Sequence, residues 1–132
     1  MPVYFVASIG GDENNARNVF QFAKALGVET IVNSPESAAL SILDGLANEY
    51  GVNLALSSRS RKETPAYWNA ESLLKTIAGR SKRVGAFVDV RAWVQDGLDP
   101  IGETTTLNDR ILGFNLRRRR FRQRRANSRF IR

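Results

Sequence analysis

Nine arginines, at positions 117, 118, 119, 120, 122, 124, 125, 129 and 132, form the densest concentration of chemistry-bearing side chains in the sequence. Guanidinium groups at this density pair with phosphates and release counterions, so the segment 117–132 reads as a polyanion-binding tail. Arg117, Arg118, Arg119, Arg120, Arg122, Arg124 and Arg125 are its candidate contacts, and RNA is a candidate ligand. A solvated tail with no ligand, or a terminal helix packing Phe121, Ala126, Phe130 and Ile131 inward, remains the competing reading. Elsewhere, what is missing decides more than what is present. The chain has no His and no Cys. Ser–His–Asp catalysis, thiol nucleophiles, zinc–thiolate sites and imidazole-based metal chemistry are therefore excluded. Carboxylate-only metal sites and chemistry on Lys or Tyr survive.

The tail also accounts for the charge. Of 20 Lys and Arg, nine lie in 117–132, where there is no acid. That leaves 11 basic against 13 acidic side chains before residue 117, a net of −2 within a total of +7. A mildly acidic domain (1–116) carries an arginine-rich tail (117–132). With 132 residues and 42% apolar side chains it is one domain with a real core. The first residues carry no signal-peptide pattern, and no apolar run reaches the length of a bilayer span, so a cytoplasmic protein is expected.

The elements that must position any site alternate in type. Residues 3–9, 29–32, 52–56, 84–90 and 110–116 read as strands. Between the first two, Ala16, Val19, Phe20, Ala23 and Leu26 recur with helical spacing, ended by Gly27. Asn33-Ser34-Pro35 supplies a polar cap and an early proline for a second helix, with the stripe Ala39, Ile42, Leu43, Leu46 before Gly51. Residues 57–66 form a polar loop with Arg59, Arg61 and Lys62. Asn69 caps a helix over 71–77, and a helical stretch over 92–95 follows the fourth strand. Strands joined by single helices need right-handed crossovers, so the expected fold is α/β with a parallel sheet.

Two stretches, 19–32 and 84–100, carry a more specific likeness, supported by Tyr67-Trp68 and residues 52–56. The first holds Ala23-Lys24-Ala25-Leu26-Gly27 and the second Asp89-Val90-Arg91-Ala92-Trp93. Over about residues 16–116 the sequence resembles the sugar phosphate isomerase/epimerase proteins of the xylose-isomerase-like TIM-barrel superfamily. The resemblance implies a partial barrel of about five strands. It also implies divalent-metal ligands at the C-terminal strand ends, and here the sequence departs from the pattern. Ser34 stands where the family has Glu, and Ser57-Ser58-Arg59 replaces His-Asn-His. Ala92 replaces a His, and Asn115 stands where a His is expected. Asp89 alone keeps a strong ligand, with capping of a loop as its structural alternative. A single carboxylate does not hold a catalytic divalent ion, so no metal or other cofactor is expected. The inherited isomerase or epimerase activity is expected to be lost, leaving a pseudoenzyme.

An arc of five parallel strands leaves an apolar concave face and two bare edges. The chain is thus expected either to pair with a copy of itself, most simply as a homodimer, or to re-route into a smaller flavodoxin-like sandwich. Arg59 and Arg91 fall at strand C-terminal ends, where the resemblance implies room for a phosphate, with solvated loop charges as the competing reading. The further cations Arg80, Lys82 and Arg83 lie in the next turn.

Overall fold

A computed structural model describes residues 4–6 and 12–115. The tail contacts proposed at 117–125, and the strand residues expected at 7–9, lie outside the described residues. Five strands, β1 (Tyr4–Val6), β2 (Thr30–Asn33), β3 (Asn53–Ser58), β4 (Val84–Asp89) and β5 (Ile111–Asn115), form one sheet in the order β1-β2-β3-β4-β5. Every pairing is parallel. The connections are α1 (Glu13–Leu26), a 3-10 turn (Ser37–Ala39) with α2 (Leu40–Tyr50), α3 (Ala70–Thr76), and α4 (Val90–Gln95) with α5 (Pro100–Leu107). A flavodoxin-like sandwich requires the strand order to reverse about a central strand. Here each strand lies beside the next in sequence, as in a singly wound barrel. The sandwich alternative is corrected accordingly.

The helices bury one face of the sheet. Ile31, Leu54, Leu56, Val84, Ala86 and Val88 alternate along β2, β3 and β4 and join Phe20, Leu43, Leu46, Leu73, Trp93 and Leu107 in one core cluster. Val32 and Ala55, one residue out of phase, are equally buried but belong to the opposite face. Curvature is what buries them. The rings of Tyr4 on β1 and Phe87 on β4 lie 5.1 Å apart between centroids. Three strand spacings of a flat sheet would separate them by roughly 14 Å. The sheet is therefore strongly curled, and its concave side is partly roofed by its own aromatic side chains.

The local signals worked where backbone geometry demanded a residue type. Gly27 and Gly51 end α1 and α2 at φ +77° and +67°, the left-handed conformation that other residues resist. Asn69 caps α3 as expected and completes a reciprocal pair of hydrogen bonds with Ser72. The second helix differs from expectation. Asn33 is the last residue of β2, and Ser34 caps nothing. The chain turns through Glu36 into the 3-10 segment, and α2 begins at Leu40 without a side-chain cap. Pro35 and Ser34 are spent on extended chain leaving the strand, so the helix starts a turn later. The two apolar stripes also end differently: Leu26 is 59% exposed and Ile42 is 42% exposed. Leu26 lies in the last turn of α1, beyond the sheet's cover, and the core side of α2 is completed by Leu40 and Ala47 instead.

Candidate functional site at the strand C-terminal ends

Parallel strands present their C-terminal ends together, so the residues just after β2, β3, β4 and β5 converge at one rim. Register places them. Ser58 pairs with Val88 and Asp89 with Asn115, so Arg59, Asp89 and Asn115 end three adjacent strands in one row. With Arg91 they line a polar cleft of about 100 Å³. Among the sequence-derived positions, this brings Arg59, Asp89 and Asn115 together. Ser34 and Ser57 form a second group: the Ser34 hydroxyl donates to the Ser57 carbonyl at 3.3 Å. Ala92 lies beneath the rim, buried, and its backbone N–H donates to the Asp89 carboxylate at 3.2 Å, so Asp89 is the N-cap of α4.

The cations divide between two ends of the sheet. Arg59 and Arg91 stand at the rim. Arg80, Lys82 and Arg83 precede β4 at the opposite end, where Arg83 donates to the Asn53 side chain at 3.2 Å. Arg61 stacks over Trp68, with its guanidinium carbon 5.2 Å from the ring centroid, and its backbone N–H donates to Asp96. The loop charges therefore do not form one patch. Arg59 pairs with Glu63 at 3.8 Å between two exposed side chains, a contact worth little in water. The Arg91 side chain makes no hydrogen bond or ion pair among the described residues.

One feature of the rim was not anticipated from sequence. Tyr67, 4% exposed, donates its hydroxyl to the Pro35 carbonyl at 2.8 Å, tying the β3–α3 loop to the chain leaving β2. Only the polar character of 57–66 hinted that this loop folds back. Burial pushes the Tyr67 phenol pKa upward, an effect partly countered by a hydrogen bond to Ser34. A raised phenol pKa favours the neutral folded form. The stabilisation is complete below the unfolded value of about 10 and falls as pH rises beyond it. Denaturant midpoints measured from pH 8 to 11 should therefore fall less steeply in Tyr67→Phe than in the parent chain. Equal slopes would show that the buried phenol contributes nothing to alkaline unfolding.

The fold has solved counterparts. Over 83% of its length the chain superposes on an uncharacterised protein from Parabacteroides distasonis with a TM-score of 0.67 and 31% identity, covering 43% of that chain. A D-tagatose 3-epimerase-like protein superposes with a TM-score of 0.64 and 18% identity over 83% of this chain and 53% of its own. An IOLI protein, solved with a binding zinc atom, gives 0.63 and 16% over 86% and 50%. No family model matches the chain, and no curated protein matches it significantly. The likeness shows a fold shared with the D-tagatose 3-epimerase-like protein and the IOLI protein. The chain spans about half the length of the solved structures it matches.

Among the described residues no three His, Cys, Asp or Glu side chains converge. The one carboxylate in the cleft is engaged by the Ala92 N–H, and two guanidinium groups flank it. A divalent cation would meet one ligand and two positive charges, so these residues do not fit a metal. Nor is any helix among the described residues long and apolar enough to cross a membrane.

Proposed function

We propose that this chain is a non-catalytic, metal-free relative of the sugar phosphate isomerases and epimerases that acts by associating with a copy of itself. The observation that carries the loss of catalysis is the charge of the cleft. Arg59 and Arg91 flank Asp89 where a metal-dependent barrel needs converging anionic and imidazole ligands. Titration calorimetry with zinc, manganese and magnesium, paired with an isomerisation assay on sugar phosphates, tests it. No saturable binding below millimolar metal and no turnover are expected. Micromolar metal affinity together with turnover would overturn it.

Self-association draws support from the concave face and the sheet edges. Tyr4 and Val6 are 52% and 68% exposed there, and β1 and β5 each have a single neighbour among the described residues. Water tolerates neither an uncovered apolar sheet face nor a bare parallel edge well. A two-fold copy of the same surface covers both at the least cost in new sequence.

A second reading, nucleic-acid binding through residues 117–132, is favoured by the nine arginines and the absence of acid there. Filter binding of a single-stranded RNA at two salt concentrations, with and without those residues, tests it. Affinity should fall on truncation and the salt dependence should flatten. Unchanged affinity would remove the reading.

A further inference from the structure

We infer that the rim cleft between Arg59 and Arg91 is a binding site for a phosphate-type oxyanion. Its described walls are Arg59, Asp89, Arg91 and Asn115, and its volume of about 100 Å³ accommodates a tetrahedral oxyanion. The Arg91 side chain has no partner among the described residues, and the single partner of the Arg59 side chain, Glu63, sits 3.8 Å away. Both guanidinium groups can thus turn to a ligand without breaking a buried interaction. The planar fork of an arginine pairs two N–H donors with two phosphate oxygens, which makes it the side chain best suited to this ligand.

Asp89 is the one opposing charge among the described residues that line the cleft. Its carboxylate already accepts from the Ala92 N–H, and α4 fixes it in that capping role. Among the described residues that line the cleft, two guanidinium groups stand against one carboxylate, a formal charge of +1, with Glu63 outside the lining and held to Arg59 only by an exposed contact. That sign repels the cation expected of a metal-dependent barrel and attracts an anion. The site does not depend on self-association, because it lies at the strand ends, apart from the exposed side chains of Tyr4 and Val6 that would meet a second copy.

The test is titration of the full chain with inorganic phosphate at constant ionic strength, chloride being the balancing anion. Binding is followed by the NMR signals of the Arg59 and Arg91 side chains and of the Ala92 and Asn115 amides. The arginine tail is common to every variant, so only differences between variants report on the cleft. The double variant Arg59→Gln, Arg91→Gln should bind at least about tenfold more weakly. Arg61→Gln, which removes an equal charge from the same loop but does not line the cleft, should leave the rim shifts unchanged. Both arginines are exposed, and unaltered amide spectra in the absence of phosphate will confirm that the double variant folds. Glycerol phosphate as a second probe separates the sources: tighter binding than the free ion assigns a phosphate ester, and equal binding assigns phosphate itself. Rim shifts that persist in the double variant, or that Arg61→Gln reduces as much, would overturn the site.

Discussion

Replacing Trp93 by alanine is expected to lower unfolding stability by about 3–5 kcal/mol. Trp93 is 1% exposed and lies in the core cluster shared by α4, the outer face of the sheet and Leu107 at the end of α5. Removing the indole deletes most of the contact surface through which a six-residue helix is held. A helix that short has almost no stability of its own. Its loss should therefore release the Asp89 cap and disorder the rim as well as the core. Trp93→Phe provides the contrast. The indole Nε1 is buried without a hydrogen-bond partner among the described residues, so phenylalanine keeps an aromatic ring in place and removes an unsatisfied donor. Its cost should stay below about 1.5 kcal/mol. Urea unfolding of both variants checks the pair. Equal losses would mean that the indole is not packed as the structure places it.

Gly85→Ala is expected to cost about 3 kcal/mol, at the upper end of what overpacking does. Gly85 is buried in β4, and a Cβ there would fall on the Arg110 carbonyl oxygen and within 2.9 Å of the Leu112 side chain. The register between β4 and β5 shifts at Ala86/Phe87, so the extra residue of β5 bulges toward this glycine. The neighbour on one side is backbone, which cannot rotate away. The added methyl must therefore push β5 from the sheet edge. Hydrogen exchange should show protection lost at the β5 amides before those of β2 and β3. Gly45→Ala, at an exposed position inside α2 with nothing within 4 Å of the new methyl, should instead stabilise by about 0.5–1 kcal/mol. If Gly85→Ala were as benign as Gly45→Ala, the close approach of β5 would be wrong.

These residues also mark where the sequence could be read and where it could not. Spacing alone locates α1 and the αL glycines after it and after α2, because helical periodicity and positive φ each restrict residue choice. The Asn69 cap is legible for the same reason. Parallel order follows from strands separated by single helices. The curl of the sheet does not, since it arises when Tyr4 and Phe87 meet across three strand spacings, a contact no local pattern encodes. The start of α2 was misplaced because Asn33-Ser34-Pro35 suits a helix cap and an extended exit from a strand equally well.

At the rim, only a family likeness points to Ser34, Ser57, Arg59, Ala92 and Asn115 in the sequence. Their grouping is not legible there. Only strand register places Arg59, Asp89 and Asn115 in one row with Arg91 beside them, while Ser34 turns to the Ser57 carbonyl and Ala92 serves through its backbone. The likeness of Arg59 to Arg61 and to Arg80, Lys82 and Arg83 in sequence likewise dissolves in three dimensions. Arg61 shares the loop of Arg59 but stacks over Trp68, and Arg80, Lys82 and Arg83 lie at the opposite end of the sheet.

The most direct measurement is the molecular mass in solution, by light scattering at moderate salt across a range of protein concentrations. A self-associating arc predicts about twice the chain mass of 14.7 kDa, returning to the single-chain value in Val6→Glu, which places a charge at an exposed concave position. A mass of 14.7 kDa at every concentration, unchanged by Val6→Glu, would contradict the account.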